Sequence, residues 1–165
     1  MNMENSFNNI LFLTSFCFMA IDGDIAKEEL KQLQSFAEED KLFGEINVEE
    51  EYSKCLNVLK QIGADFVKSY LEAIEQIDFS DNEKYQLLEV AVKTIYADEK
   101  IEYNEIKFFK SLCNRLNLSK ESIIENVANV EEYWLEDDLA SNAANFDFLH
   151  DVNFSQIESN LSTAN

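Results

Sequence analysis

The chain has 165 residues, with 13 lysines and arginines against 33 aspartates and glutamates, a formal net charge of −20 at pH 7. That balance argues against direct binding to nucleic acid and against insertion into or adsorption on anionic membranes. With 46% hydrophobic residues, three glycines and no proline, the expectation is an ordered all-α fold rather than disorder or a many-stranded β fold.

In chain order, the first element is the apolar stretch Phe7 to Ile21, read as a core helix over about 5–21. No basic residue precedes it and Glu4 has the wrong sign for a signal peptide. Its length also falls short of the roughly 20 residues that span a bilayer. Leu30, Leu33, Phe36 and Ala37 then share one face of a helix over about 27–41. Tyr52, Cys55, Leu56 and Leu59 stripe a helix over about 48–62, and Phe66, Tyr70, Ile74 and Ile77 one over about 64–78. Leu88, Ala91, Val92 and Ile95 mark about 81–97. Ile106, Phe109, Leu112, Cys113 and Leu116 mark about 103–117, and Ile123, Val127, Val130 and Trp134 about 120–134.

Local punctuation supports these starts and stops. Asn47 with Glu50, and Ser80 with Glu83, have the capping-box spacing. Ser119 is a plain N-cap, and Gly44 and Gly63 stand where helices should stop.

The chain also repeats itself at a shift of 76 positions. Asp22 falls on Asp98, Ile25 on Ile101, Glu29 on Glu105 and Leu30 on Ile106. The register continues through Leu33 on Phe109, Phe36 on Leu112 and Leu42 on Leu118. Each copy reads as an apolar helix, a D-x-x-I-x-x-x-E-[LI] loop and an amphipathic helix. The expected fold is therefore a pseudo-duplicated bundle of about seven helices over residues 1–134, its two hairpins bridged by the helices between 48 and 78. Residues 135–165 form an acidic, Asn- and Ser-rich extension.

Candidate chemistry is sparse. The one histidine, His150, lies in that extension with nothing to orient it. The glycines are isolated, so no phosphate-cradling loop exists, and Cys17, Cys55 and Cys113 lack zinc-site spacing. An odd number of scattered cysteines instead reads as reduced, buried thiols of a cytoplasmic protein. No catalytic residue is assigned, and the chain is not expected to be an enzyme.

The loop acids are the exception. Asp22 and Asp98 follow apolar helices, at the end where the macrodipole disfavours negative charge. A turn between Asp22 and Glu29, at Gly23 in the first copy, would fold the two carboxylates together. Asp22, Asp24, Glu29, Asp98 and Glu105 would then offer hard oxygen ligands to Ca²⁺, Mg²⁺ or Mn²⁺. The alternative is that these acids cap the following helices or pair with Lys27 and Lys100. An EF-hand is excluded, since Gly23 and Ala26 occupy the wrong loop positions.

The stretch Met19-Ala20-Ile21-Asp22-Gly23-Asp24-Ile25 through Glu29, with Tyr96-Ala97-Asp98-Glu99-Lys100-Ile101 through Glu105, resembles the tellurite-resistance TerB-like domain. The resemblance covers about residues 7–134. It implies an all-helical, internally duplicated domain whose loop acids are proposed metal ligands, with links to tellurite and other stress responses. Glu99 stands where the family pattern has glycine, so the second turn is expected to be built differently.

All 13 basic residues lie at or before Lys120, whereas residues 121–165 carry ten acids. Phe146, Phe148 and Phe154, interleaved with Asp147 and Asp151, read either as short helices capping the core or as an acidic-aromatic segment for a basic protein partner. The functional expectation is a non-enzymatic stress or metal-response domain that binds a divalent ion, a protein or both. The alternative is an acidic inhibitor or immunity protein that neutralises a basic toxin or nuclease, and a structural module is the third.

Overall fold

The structure is a computed structural model that describes residues 3–21, 27–97 and 103–135, with side chains from residues 7, 30 and 103 onward in those segments. Among the described residues seven α-helices run α1 Met3–Ile21, α2 Lys27–Glu38, α3 Val48–Ile62, α4 Ala64–Gln76, α5 Asp81–Ala97, α6 Tyr103–Arg115 and α7 Lys120–Asn126. A 3-10 helix follows at Glu132–Leu135, and no strand occurs among the described residues. The fold is all-α, as the composition indicated.

Helix α1 is the hub, packing along α5 and also against α3, α4 and α6. From Leu11 to Ile21 every side chain but Leu13 is buried, which is why the sequence there is apolar all round rather than striped. It is a core helix. Among the described residues no helix is long and apolar enough to cross a membrane. Phe12, Phe16 and Phe18 are fully buried. Their rings meet Phe43 at 5.4 Å, Phe66 at 5.5 Å and Phe108 at 4.5 Å, drawing the α2–α3 link, α4 and α6 onto one core.

Two hydroxyl pairs cross this core. Thr14 Oγ1 donates to the Ile10 carbonyl at 2.8 Å, so its one proton is used and Tyr70 must donate to Thr14. Likewise Thr94 donates to the Val90 carbonyl at 2.8 Å, so Ser15 donates to Thr94, also at 2.8 Å. The first pair ties α1 to α4 and the second ties α1 to α5.

The duplication is visible in the helix boundaries. Helix α5 ends at 97 and α1 at 21, while α6 begins at 103 and α2 at 27, each a difference of 76. Helices α3 and α4 bridge the halves, α3 packing on α2 and α4 on α6. Their tight junction depends on Gly63, whose φ of 56° and ψ of −128° suit only glycine and whose N–H closes α3 on the Leu59 carbonyl. Asn47 and Ser119 cap α3 and α7 by accepting from Glu50 N and Ser122 N, and Ser80 and Glu83 make the reciprocal capping box of α5.

Four helix ends fall short of the sequence expectation, the smallest change being α4, which stops at Gln76 with Ile77 extended. Helix α2 stops at Glu38, well before Gly44, because the turn at Lys41 returns Phe43 to Phe12 and Phe36. Helix α6 stops at Arg115 in a Schellman arrangement, with Leu118 N donating to Cys113 O and Asn117 N to Asn114 O. The expected helix over 120–134 is instead broken after Asn126. Val127 is extended, Asn129 has φ 67°, and the Tyr96 hydroxyl donates to the Asn129 carbonyl at 2.9 Å. Trp134 still reaches the core, carried by the 3-10 helix that packs on α6.

Candidate functional site

Each acidic loop leaves an apolar helix and enters an amphipathic one. Asp22 directly follows Ile21, the last residue of α1, and Asp98 directly follows Ala97, the last of α5. Glu29 is the third residue of α2 and Glu105 the third of α6. Of the five candidate ligands, Asp22, Asp24, Asp98 and the side chain of Glu29 lie outside the described residues. Glu105 is the one whose surroundings are defined.

Glu105 is buried, with 2% of its surface exposed. It sits on the core-facing stripe of α6, three, four and seven residues before the buried Phe108, Phe109 and Leu112. A carboxylate is seldom buried unless its charge is compensated. One compensation is local, since the first turn of a helix presents the positive end of the macrodipole. In the 76-residue register Glu29 is the counterpart of Glu105, four and seven residues before the buried Leu33 and Phe36.

An aromatic cluster flanks the second loop. Trp134, fully buried, packs on Tyr96 in the last turn of α5 at 5.7 Å and on Phe109 of α6 at 5.5 Å. Its indole N–H meets no acceptor among the described residues. The sequence placed Trp134 on a helical stripe but could not show that it lies beside the helices entering and leaving the loop. That contact joins segments far apart in the chain.

The cysteines behave as the sequence suggested. Cys17, Cys55 and Cys113 are free and buried. Burial pushes the Cys55 thiol up to about 12, with Glu51 adding to it, and raises Cys17 and Cys113 still more decisively. Thiols held neutral in this way are poor nucleophiles and poor metal ligands. Among the described residues no three Cys, His, Asp or Glu side chains gather as a metal site. The candidate partner-binding residues Phe146, Asp147, Phe148, Asp151 and Phe154, and also His150, lie outside the described residues.

The family model described as Tellurite resistance protein TerB matches residues 11–127, a span from the buried core of α1 to the end of α7 that contains both loops. No curated protein and no solved structure matches the chain significantly.

Proposed function

The chain belongs to the tellurite resistance protein TerB family, and from that premise we propose that it works without catalysis, by holding a divalent cation at its two acidic loops. Its role is tellurite-resistance-associated. What supports the ion-binding reading is the matched placement of acids around equal helix boundaries, with Glu105 buried at the second of them. Carboxylate oxygens are the donors that Ca²⁺, Mg²⁺ and Mn²⁺ prefer, so the donor set fits such an ion. Asp22, Asp24 and Glu29 would hold it in the first half, and Asp98 and Glu105 in the second.

The lone tryptophan supplies the readout, because Trp134 packs beside the helices that frame the second loop. Titration with Mg²⁺, Ca²⁺ or Mn²⁺ should change its fluorescence saturably and raise the melting temperature. A ligand bound only by the folded state stabilises it by about 2.7 kcal/mol at a hundredfold excess over Kd. Monovalent salt at equal ionic strength controls for relief of self-repulsion. Asp98→Asn should remove the fluorescence response, and Asp22→Asn the remaining ion-specific stabilisation. A response that monovalent salt reproduces, or that both variants retain, removes the reading.

The charge split favours a second reading, an acidic inhibitor of a basic protein such as a toxin or nuclease. Residues 1–120 carry 23 acids and 13 bases, and the last 45 residues carry ten acids and no base. Such a field speeds encounter with a cationic target. Pull-down with the full chain and with a version ending at Leu135 tests it. The inhibitor reading requires a basic partner that is retained by the full chain and lost or weakened on truncation.

A further inference from the structure

Trp134 carries into the core a polar atom that its packing does not need. The ring is fully buried and packs on Tyr96 at 5.7 Å, on Phe109 at 5.5 Å and on Tyr133 at 6.4 Å. Those contacts would be served by a ring without polar atoms. Tryptophan adds an indole N–H, which here is buried and meets no acceptor among the described residues. A buried donor left unpaired is costly and rare in a folded protein, so it calls for a reason.

The cluster belongs to the second loop alone. Tyr96 is the next-to-last residue of α5, and Phe109 stands four residues after Glu105 on α6. Side chains four apart on a helix are neighbours, so the Trp134 ring on Phe109 is about one turn from the buried Glu105. In the 76-residue register the counterparts of Tyr96, Phe109 and Trp134 are Ala20, Leu33 and Val58. The first half thus repeats the acids but not the aromatic cluster, and Val58 is exposed. The family match also ends at residue 127, before Trp134, so this contact is an addition outside the matched span.

We infer that Trp134 is a positioning residue for the second loop, its indole N–H donating to the Glu105 carboxylate when a divalent ion is bound. The inference rests on the ion-binding reading and adds to it the residue that sets the two loops apart. Carboxylates that hold an ion are themselves held by outer hydrogen bonds, which fix their direction. Glu105 is already engaged, but two carboxylate oxygens accept from about four directions, so a further donor is accommodated. A bond from an N–H to an ionised carboxylate is also stronger than one to a neutral acceptor.

The chain has one tryptophan, so its indole N–H gives a single signal in a proton–nitrogen correlation spectrum. Mg²⁺ added to the Asp22→Asn chain, in which the second loop is left to bind, should move that signal saturably and slow its exchange with heavy water. Replacing Trp134 in the same chain by its benzothiophene analogue keeps the ring shape and puts sulfur in place of the N–H. That change should weaken Mg²⁺ binding about tenfold by calorimetry. The melting temperature without Mg²⁺ should not fall, because the N–H removed had no partner among the described residues. Equal affinity with and without the N–H, or an indole signal that stays still while heat is released, overturns the inference and leaves the ion-binding reading in place. So does binding by the unsubstituted chain that Asp22→Asn abolishes, which confines the ion to the first loop. Absence of saturable binding of Mg²⁺, Ca²⁺ or Mn²⁺ by the unsubstituted chain removes both.

Discussion

Lys41 and Asn117, 76 positions apart, both turn the chain at positive φ, at 53° and 58°, directly after the second helix of their respective halves. The repeat therefore extends from the loops to the way each hairpin ends, with Leu42 and Leu118 following at equivalent positions. Asparagine tolerates left-handed backbone, whereas lysine carries a Cβ penalty there without a compensating local hydrogen bond. Lys41→Gly is therefore expected to stabilise the fold by about 0.5 kcal/mol, the strain relieved exceeding the added chain entropy. Asn117→Gly should be close to neutral, and Asn117→Val should cost about 1–2 kcal/mol. Urea midpoints of the three variants decide it, and equal effects of the two glycine substitutions would contradict it.

Gly44 sets up a sharper test. Its φ is 62°, and a Cβ built there would overlap Asn8 Nδ2 and lie 2.7 Å from Asn8 Cγ. The link after α2 thus presses backbone against α1. Gly44→Ala should cost about 1 kcal/mol through backbone strain and roughly another 1–2 kcal/mol through overlap with Asn8. Asn8→Ala made in the Gly44→Ala background should recover the overlap and leave the strain. A double-mutant cycle measures the split, and a coupling energy near zero would show that Asn8 simply moves aside.

The parts of this fold that were legible in the sequence are those set within a few residues. Ser80 and Glu83 close their capping box because both partners lie within one turn, and α1 reads as a core helix because it is apolar on every side. The stripe read for α6 began at Ile106 and left Glu105 among the loop acids, so the burial of Glu105 was not legible. The breaks were not legible. Helix α7 ends where the Tyr96 hydroxyl takes the Asn129 carbonyl, and no periodicity over 120–134 contains Tyr96. The setting of Trp134 was hidden for the same reason. The loop motif itself was legible as a pattern of acids, which names the donor type but not the ion.

The buried hydroxyl pairs predict unequal costs for substitutions of similar size. Ser15→Ala removes a donor, yet Thr94 keeps its own bond to the Val90 carbonyl, so the loss should be about 1 kcal/mol. Thr94→Val removes the acceptor and leaves the Ser15 proton buried without its partner, which should cost about 2 kcal/mol. Tyr70→Phe should resemble Ser15→Ala, since Thr14 retains the Ile10 carbonyl. Denaturant titration of the three variants ranks them, and Ser15→Ala costing more than Thr94→Val would reverse the assigned proton directions.

The buried thiols make the fold sensitive to alkali. Cys17, Cys55 and Cys113 have folded-state pKa values raised above the ordinary 9.0, Cys55 to about 12, with burial as the first cause of each. A raised pKa means that the folded state holds its proton longer than the unfolded state does. The associated stability is intact below about pH 9 and is lost progressively as pH rises toward the folded values. At pH 10 an unfolded thiol of pKa 9 is ten parts ionised to one, a linkage cost of about 1.4 kcal/mol per cysteine and about 4 kcal/mol for three. Tyr70, raised by its burial and then by Cys17, adds to the same trend at higher pH. Unfolding free energies at pH 7, 9 and 10 should fall accordingly, at ionic strength high enough to mute the repulsion among 33 acids. Replacing Cys55 with alanine should lower stability at pH 7 through the lost packing, but flatten the fall between pH 9 and 10 by about a third. An unchanged fall in that variant would mean that the alkaline loss arises from lysine deprotonation and charge repulsion rather than from the buried thiols.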